Sequence, residues 1–290
     1  MVKELELQAN QLREDVIKML VEAGSGHSAG PLGMADVFAA LYFHILHHDP
    51  KQPDWPERDR LILSNGHIVP IRYAAMARAG YFPVKELKTL RKFGSRLQGH
   101  PERMRLPGME TTSGPLGSGL SAACGIATAL RMDGKNEQRV YCVTGDGELD
   151  EGNIWEAVMF GGKYRLSNLT VIVDRNNIQI DGPTETVMPL GDLAAKWRPF
   201  GWHAVEIDGH NIQAIIDACN MAKAVEDRPT VIIAHTIPGK GVDYMENDYR
   251  WHGNPPGTQD VPGDPPKAEQ AAVALHELRT LGGQIRGEHE

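Results

Sequence analysis

Asp146, set between Gly145 and Gly147, and Asn176, thirty residues further on, are the side chains of this sequence best suited to hold a small, hard cation. Each follows a short apolar run: Arg139 to Thr144 before the first, Leu169 to Val173 before the second. Runs this short and rich in β-formers, with a helical pattern between them, predict parallel strands of an α/β sheet. Such sheets bind ligands at the carboxyl ends of neighbouring strands. A carboxylate and an amide oxygen arriving there together suit Mg²⁺, which leaves its other positions to phosphate oxygens and water. The pair predicts a metal-bridged diphosphate.

An Asp-Gly pair alone is an ordinary turn, so its company matters. Gly114-Pro115-Leu116-Gly117-Ser118-Gly119 lies just before a predicted helix, where exposed backbone N–H groups favour an anion. Four of the twelve histidines stand in glycine-containing loops: His27 in SGH, His67 in SNGH, His100 in GHPE and His252 in WHG. Imidazoles titrate near neutrality and suit proton transfer to and from hydroxyl groups. The other histidines have plainer readings. His47 and His48 fall near a helix C-terminus, whose partial negative charge suits them. His44 and His48 are four apart, but no carboxylate or cysteine framework accompanies them as metal ligands. His203, His235, His276 and His289 read as structural or solvated, and His210 has no assignment.

The elements that must position these groups follow from pattern. Leu5, Ala9, Leu12, Val16, Met19 and Leu20 keep a helical period that Gly24 ends. Helices are predicted from Met34 to His47, Leu120 to Met132, Ile212 to Val225 and Lys267 to Leu281. Further strands are predicted from Asp59 to Ser64, His203 to Ile207 and Thr230 to His235. This alternation predicts an α/β fold with a doubly wound, mostly parallel sheet.

Composition narrows the class. With 290 residues and 41% hydrophobic content, a sizeable core is available. No run is long and apolar enough for a membrane span, and the polar start MVKELELQANQLRED does not read as a signal peptide. A net charge of −8 without a basic cluster argues against nucleic acid. Cys124, Cys142 and Cys219 lie in apolar segments and read as buried, reduced thiols of a cytoplasmic protein.

The stretches GDGELDEGNIWEA and VDRNNIQIDG, in that order, closely resemble the thiamine diphosphate signature of transketolases. SGHSAGPLGMAD, SNGH, GHPE and METTSGPLGSGLS carry the same resemblance, which extends from the N-terminus to about Gly257. It implies a thiamine-diphosphate-binding domain over residues 1–257, followed by a tail, 258–290, with room for one helix. It implies that Asp146, the side-chain oxygen of Asn176 and the backbone carbonyl of Ile178 hold Mg²⁺, or Ca²⁺ or Mn²⁺ in its place. Gly147, Gly114 and Leu116 would contact the cofactor, His67 the cofactor, His27 and His100 the donor sugar, and His252 both. Glu151 and Glu156 match acidic residues at the interface between two transketolase active sites. Asn177 stands where transketolases often carry glycine, and asparagine tolerates the left-handed backbone such a position needs.

The implied activity is transfer of a two-carbon ketol unit from a ketose phosphate to an aldose phosphate, in the pentose phosphate pathway. Transketolases also need a pyrimidine-binding domain, which has no counterpart in these 290 residues. A partner chain carrying it, a heterotetramer of two such pairs and some self-association of this chain are therefore expected. Two alternatives stay open: a subunit of another thiamine enzyme, such as deoxyxylulose phosphate synthase, or a catalytically silent cofactor-binding subunit.

Overall fold

Five apolar runs form one wholly parallel sheet in the computed structural model of this chain, which describes residues 1–135 and 137–288. The strands are β1 (Arg60–Leu63), β2 (Val140–Gly145) and β3 (Leu169–Arg175), then, after an intervening hairpin, β6 (His203–Asp208) and β7 (Thr230–His235). The hairpin is antiparallel, pairing β4 (Ile178–Gln179) with β5 (Gly182–Pro183) directly after β3. The sheet order is β1-β2-β3-β7-β6, so β3 is central, and its register sets Gly145 beside Asp174 and Arg175 beside His235.

The helices in chain order are α1 (Val2–Ala23), α2 (Ala29–Gly33), α3 (Ala35–Ala40), α4 (Val69–Ala79) and α5 (Ser118–Met132). They continue with α6 (Gly152–Lys163), α7 (Thr184–Val187), α8 (Leu193–Trp197), α9 (Ile212–Ala224) and α10 (Gln270–Glu288). Strand side chains alternate between two cores, as a sheet covered on both faces requires. Leu61, Leu63, Tyr141, Val143, Ile172 and Ile232 join α1, α3, α4 and α9. Ile62, Val140, Cys142, Val171, Val173, Val231 and Ile233 join α5, α6 and α8. The α/β architecture and parallel sheet match the expectation, with strand ends shifted by one or two residues.

α1 ends at Gly24 with φ 63°, the left-handed cap its sequence announced. The helix expected from Met34 to His47 is shorter, because α3 gives way to a π-type turn at Leu41–Ile45. His48 then folds back: Nε2 donates to the Tyr42 carbonyl at 2.8 Å, leaving Nδ1 to accept from the Tyr81 hydroxyl at 2.9 Å. Both ring nitrogens are thus engaged. Among the described residues, no group of three or more His, Cys, Asp or Glu side chains is placed to hold a metal.

His210 packs at a helix junction. Its Nε2 accepts the Ile237 N–H at 2.8 Å, so Nδ1 carries the proton and donates to Asp36, which also pairs with Arg13. His289 lies outside the described residues. All three cysteines are buried and free. No described helix is long and apolar enough to cross a membrane. The C-terminal helix is longer than expected. α10 lies along α1, with Ala274 and Leu278 wholly buried and the Asn10 amide donating to the Leu278 carbonyl at 2.8 Å.

Candidate functional site

The carboxyl ends of β1, β2 and β3 open into a cavity of ≈ 330 Å³. Asp146 and Asn176 line it together with His27, His67, His100 and His252. Asp146 follows β2 directly and is almost wholly buried. Its Oδ2 accepts from the Asn177 N–H at 2.7 Å and Arg175 Nη1 at 3.1 Å, while Oδ1 accepts only the Gly147 N–H, at 2.7 Å. A carboxylate oxygen has about two lone pairs, so Oδ1 keeps acceptor capacity for a cation. Burial pushes the Asp146 carboxyl above its usual range, against the N–H groups and Arg175, which pull it down.

Asn176 comes from the loop after β3. Its Oδ1 accepts the Ile178 N–H at 3.1 Å, and its Nδ2 donates to Asp174 at 2.9 Å. Asn177 takes φ 64°, the left-handed backbone expected there, and this bend carries Ile178 to the cavity wall. Gly147 also lies on the wall, where a Cβ would come within 2.8 Å of Gln179. Gly114 and Leu116 line the cavity too.

The four histidines, scattered over 225 residues of sequence, meet as one group. The His27 centroid lies 4.9 Å from His67, 5.5 Å from His252 and 6.5 Å from His100, and His67 lies 5.2 Å from His252. Burial, the nearby His252, Arg91 and His100 push His27 down to about 3. Burial takes His252 down to about 4 and His67 well below its ordinary value, and burial with Arg91 lowers His100. At neutral pH the cluster is uncharged. The buried Ser28 hydroxyl fastens the loops that carry His27 and His252, lying 3.0 Å from the Trp251 carbonyl and 2.6 Å from that of Asn254.

The arrangement fits a polar, anionic guest held through a cation. Asn65 is fully buried on the cavity wall, with neither its amide oxygen nor its nitrogen paired within the protein. Nδ1 of His27 and Nδ1 of His252 are likewise buried and unpaired. Such groups are costly to leave unmatched, and a diphosphate with its Mg²⁺ offers partners of the right polarity. One carboxylate, one amide and one backbone carbonyl also match the oxygen-only set that Mg²⁺ prefers.

Of the residues expected from sequence, the cavity gathers His27, His67, His100, Gly114, Leu116, Asp146, Gly147, Asn176, Ile178 and His252. Glu151 is absent from its lining; it is exposed at the N-cap of α6, and Glu156 is exposed one turn on. Asn65, Glu148 and Asp174 also line the cavity, though none of them was among the site residues expected from sequence. Asn65 sits inside the SNGH motif beside His67, which was the available signal. Asp174 lies inside the VDRNNIQIDG stretch, but as the residue that closes an apolar run it shows no role of its own in the sequence.

A family model described as "Transketolase, thiamine diphosphate binding domain" matches residues 5–265. The chain is 45% identical to the 6-deoxy-6-sulfo-D-fructose transketolase subunit SqwG of Clostridium sp. (strain MSTE9), over 86% of this chain and 90% of that protein. It is 40% identical to an apulose-4-phosphate transketolase subunit of Phocaeicola vulgatus, over 88% of this chain and 90% of that one. The solved transketolase of Leishmania mexicana superposes with a TM-score of 0.83 at 30% identity, over 99% of this chain but 46% of that one. The chain therefore spans about half the length of that solved enzyme. Sequence and fold agree, and the chain belongs to the transketolase family as its thiamine-diphosphate-binding domain.

Proposed function

We propose that this chain is the diphosphate-binding subunit of a two-chain, Mg²⁺-dependent transketolase. It moves a two-carbon ketol unit from a ketose phosphate to an aldose phosphate. The observation that carries this reading is the convergence of four neutral histidines with the Asp146–Asn176 pair in one cavity. The partner reading is supported by the names of relatives matched over 90% of their length, each called a transketolase subunit. In this reading residues 1–257 form the cofactor domain, and the complex is a cytoplasmic heterotetramer of the pentose phosphate pathway. The chain self-associates when its partner is missing.

Asp146, Asn176 and the Ile178 carbonyl hold Mg²⁺, with Ca²⁺ or Mn²⁺ able to replace it, and through it the diphosphate. Gly114, Leu116, Gly147, His67 and His252 hold the rest of this end of the cofactor. Thiamine diphosphate, when bound, would supply the electron sink for the negative charge left on the donor carbonyl carbon when the carbon–carbon bond breaks. His27, His100 and His252 grip the sugar hydroxyls. Being neutral, each offers one N–H to donate and one bare nitrogen to accept a proton. Glu151 serves from outside the cavity, at the contact between two sites.

The test is a coupled assay with xylulose 5-phosphate as donor and ribose 5-phosphate as acceptor, run with this chain, a partner chain and their mixture. Activity is expected from the mixture alone. Full activity from this chain by itself would overturn the two-chain reading, and an inactive mixture that binds the cofactor would overturn the choice of sugars or of reaction.

A further inference from the structure

Three segments with no sequence continuity form the cofactor-facing wall: Ser64 to His67 after β1, Gly114 to Gly119 running into the first turn of α5, and Gly145 to Gly147 at the end of β2. One side chain touches all three. Glu148 is 3% exposed, and its Oε1 accepts the Ser64 hydroxyl at 2.5 Å and the Gly117 N–H at 2.6 Å. Its Oε2 accepts the Gly145 N–H at 3.0 Å. The Ser64 hydroxyl oxygen accepts the Gly119 N–H at 3.1 Å, so its own proton is free for Glu148.

We propose that Glu148 is a positioning residue that locks these three loops into the shape that receives the diphosphate end of the cofactor. The inference rests on reading this cavity as the thiamine diphosphate site. Every group that Glu148 meets in this clamp is a donor, and only a carboxylate offers acceptors on both oxygens with no proton of its own. A glutamine cannot satisfy the set, because its amide nitrogen must confront either the Gly145 N–H or the Ser64–Gly117 pair. The backbone is fitted to the same end. A Cβ at Gly119 would come within 2.5 Å of the Ser64 side chain, so glycine is what lets its N–H reach the hydroxyl. Gly117 takes φ 83°, and a Cβ there would fall 1.9 Å from the Asn153 amide oxygen.

The order of loops along the chain supports the same division of labour. Asp146, one residue from Gly145, offers the cation its carboxylate. Gly114 and Leu116 lie just before Gly117, and Asn65 and His67 just after Ser64. Each loop thus presents groups to the guest within three residues of the point where Glu148 holds it. Loosening that clamp leaves the contacting residues present but out of register, and register decides affinity when the guest needs all of them at once.

The experiment compares the wild-type chain with Glu148→Gln and Ser64→Ala, with and without Mg²⁺. Thiamine diphosphate is titrated calorimetrically, and amide hydrogen exchange is followed in the protein without cofactor. Expected are a rise of about tenfold or more in the thiamine diphosphate Kd for Glu148→Gln and faster exchange at Gly117, Gly119 and Gly145. Ser64→Ala should give a smaller rise, and the double variant less than the product of the two, because both residues act through one junction. A merely structural glutamate would lower the apo Tm without this coupling in Kd. Wild-type Kd and exchange in Glu148→Gln would overturn the proposal. If that variant does not fold, Ser64→Ala decides, and wild-type values there overturn it equally. Failure of the wild-type chain itself to bind thiamine diphosphate would refute the functional reading instead, and the exchange data on the apo protein would still decide whether the clamp exists.

Discussion

The Asp174 carboxylate accepts a hydrogen bond from the Asn176 amide nitrogen at 2.9 Å, and this contact decides which way the amide faces. With nitrogen committed to Asp174, the oxygen is left toward Ile178 and the cavity. Asp174 is held in turn by the Thr236 hydroxyl, and burial pushes its carboxyl up to about 7. Asp174→Ala removes the acceptor of the Asn176 amide nitrogen, and with it the contact that fixes which way that amide faces. The Mg²⁺ concentration that half-saturates thiamine diphosphate binding should rise by about ten- to a hundredfold. Calorimetric titration of Mg²⁺ at fixed cofactor checks this, and an unchanged midpoint would show that Asn176 needs no such guide.

Asp146→Ala removes the carboxylate of the proposed metal-ligand set. The variant should stay folded by circular dichroism and lose Mg²⁺-dependent cofactor binding, because the diphosphate charge is left uncompensated. Wild-type affinity in the presence of the partner would refute the assignment.

His27→Ala and His100→Ala should behave differently from Asp146→Ala. Both side chains line the cavity and pack with the other histidines, and no hydrogen bond joins either to Asp146 or Asn176 among the described residues. Cofactor affinity should hold while the donor KM rises or kcat falls by about ten- to a hundredfold. Steady-state kinetics at saturating cofactor separates the two parameters. Loss of cofactor with unchanged turnover per bound cofactor would place these residues at the diphosphate instead.

The buried histidines also make a pH prediction. His27 and His252 titrate near 3 and 4 in the folded chain, against an ordinary value of 6.5. Between about pH 6.5 and 4 the unfolded chain therefore binds more protons at these two rings than the folded one, and they lower stability as pH drops through that window. Above it both states keep these rings neutral, and the contribution vanishes. Asp174, pushed up to about 7, works in the opposite direction over the same window, so the comparison decides. Urea midpoints of the apo chain measured at about pH 7, 6 and 5 should change less favourably toward pH 5 than those of the His27→Asn, His252→Asn double variant. An equal slope in both proteins would assign the pH dependence to other groups.

The strands, and the residues Asp146, Asn176 and the four histidines that meet in one cavity, were legible because each rests on a local pattern. Apolar runs of strand length marked β1, β2, β3, β6 and β7, and glycine beside histidine marked the loops. What escaped was set by partners far off in sequence. Glu148 reads locally as an acid just after a turn, and only the fold brings Ser64, 84 residues away, to its carboxylate. Asp174 reads as the end of an apolar strand until Thr236 and Asn176 meet it. The helix expected through His47 ended early because His48 found the Tyr42 carbonyl and the Tyr81 hydroxyl, a competition no periodicity reports.

α10 has a practical consequence for anyone shortening this chain. Its buried Ala274 and Leu278 belong to the same core as Leu5, Ala9 and Leu12 of α1. A version cut before Gln270 would strip the cover from part of that stripe and leave the Asn10 amide without its carbonyl. Wet apolar stripes associate with one another. Such a version should collect in inclusion bodies or as soluble aggregates, although every residue of the cavity would still be encoded.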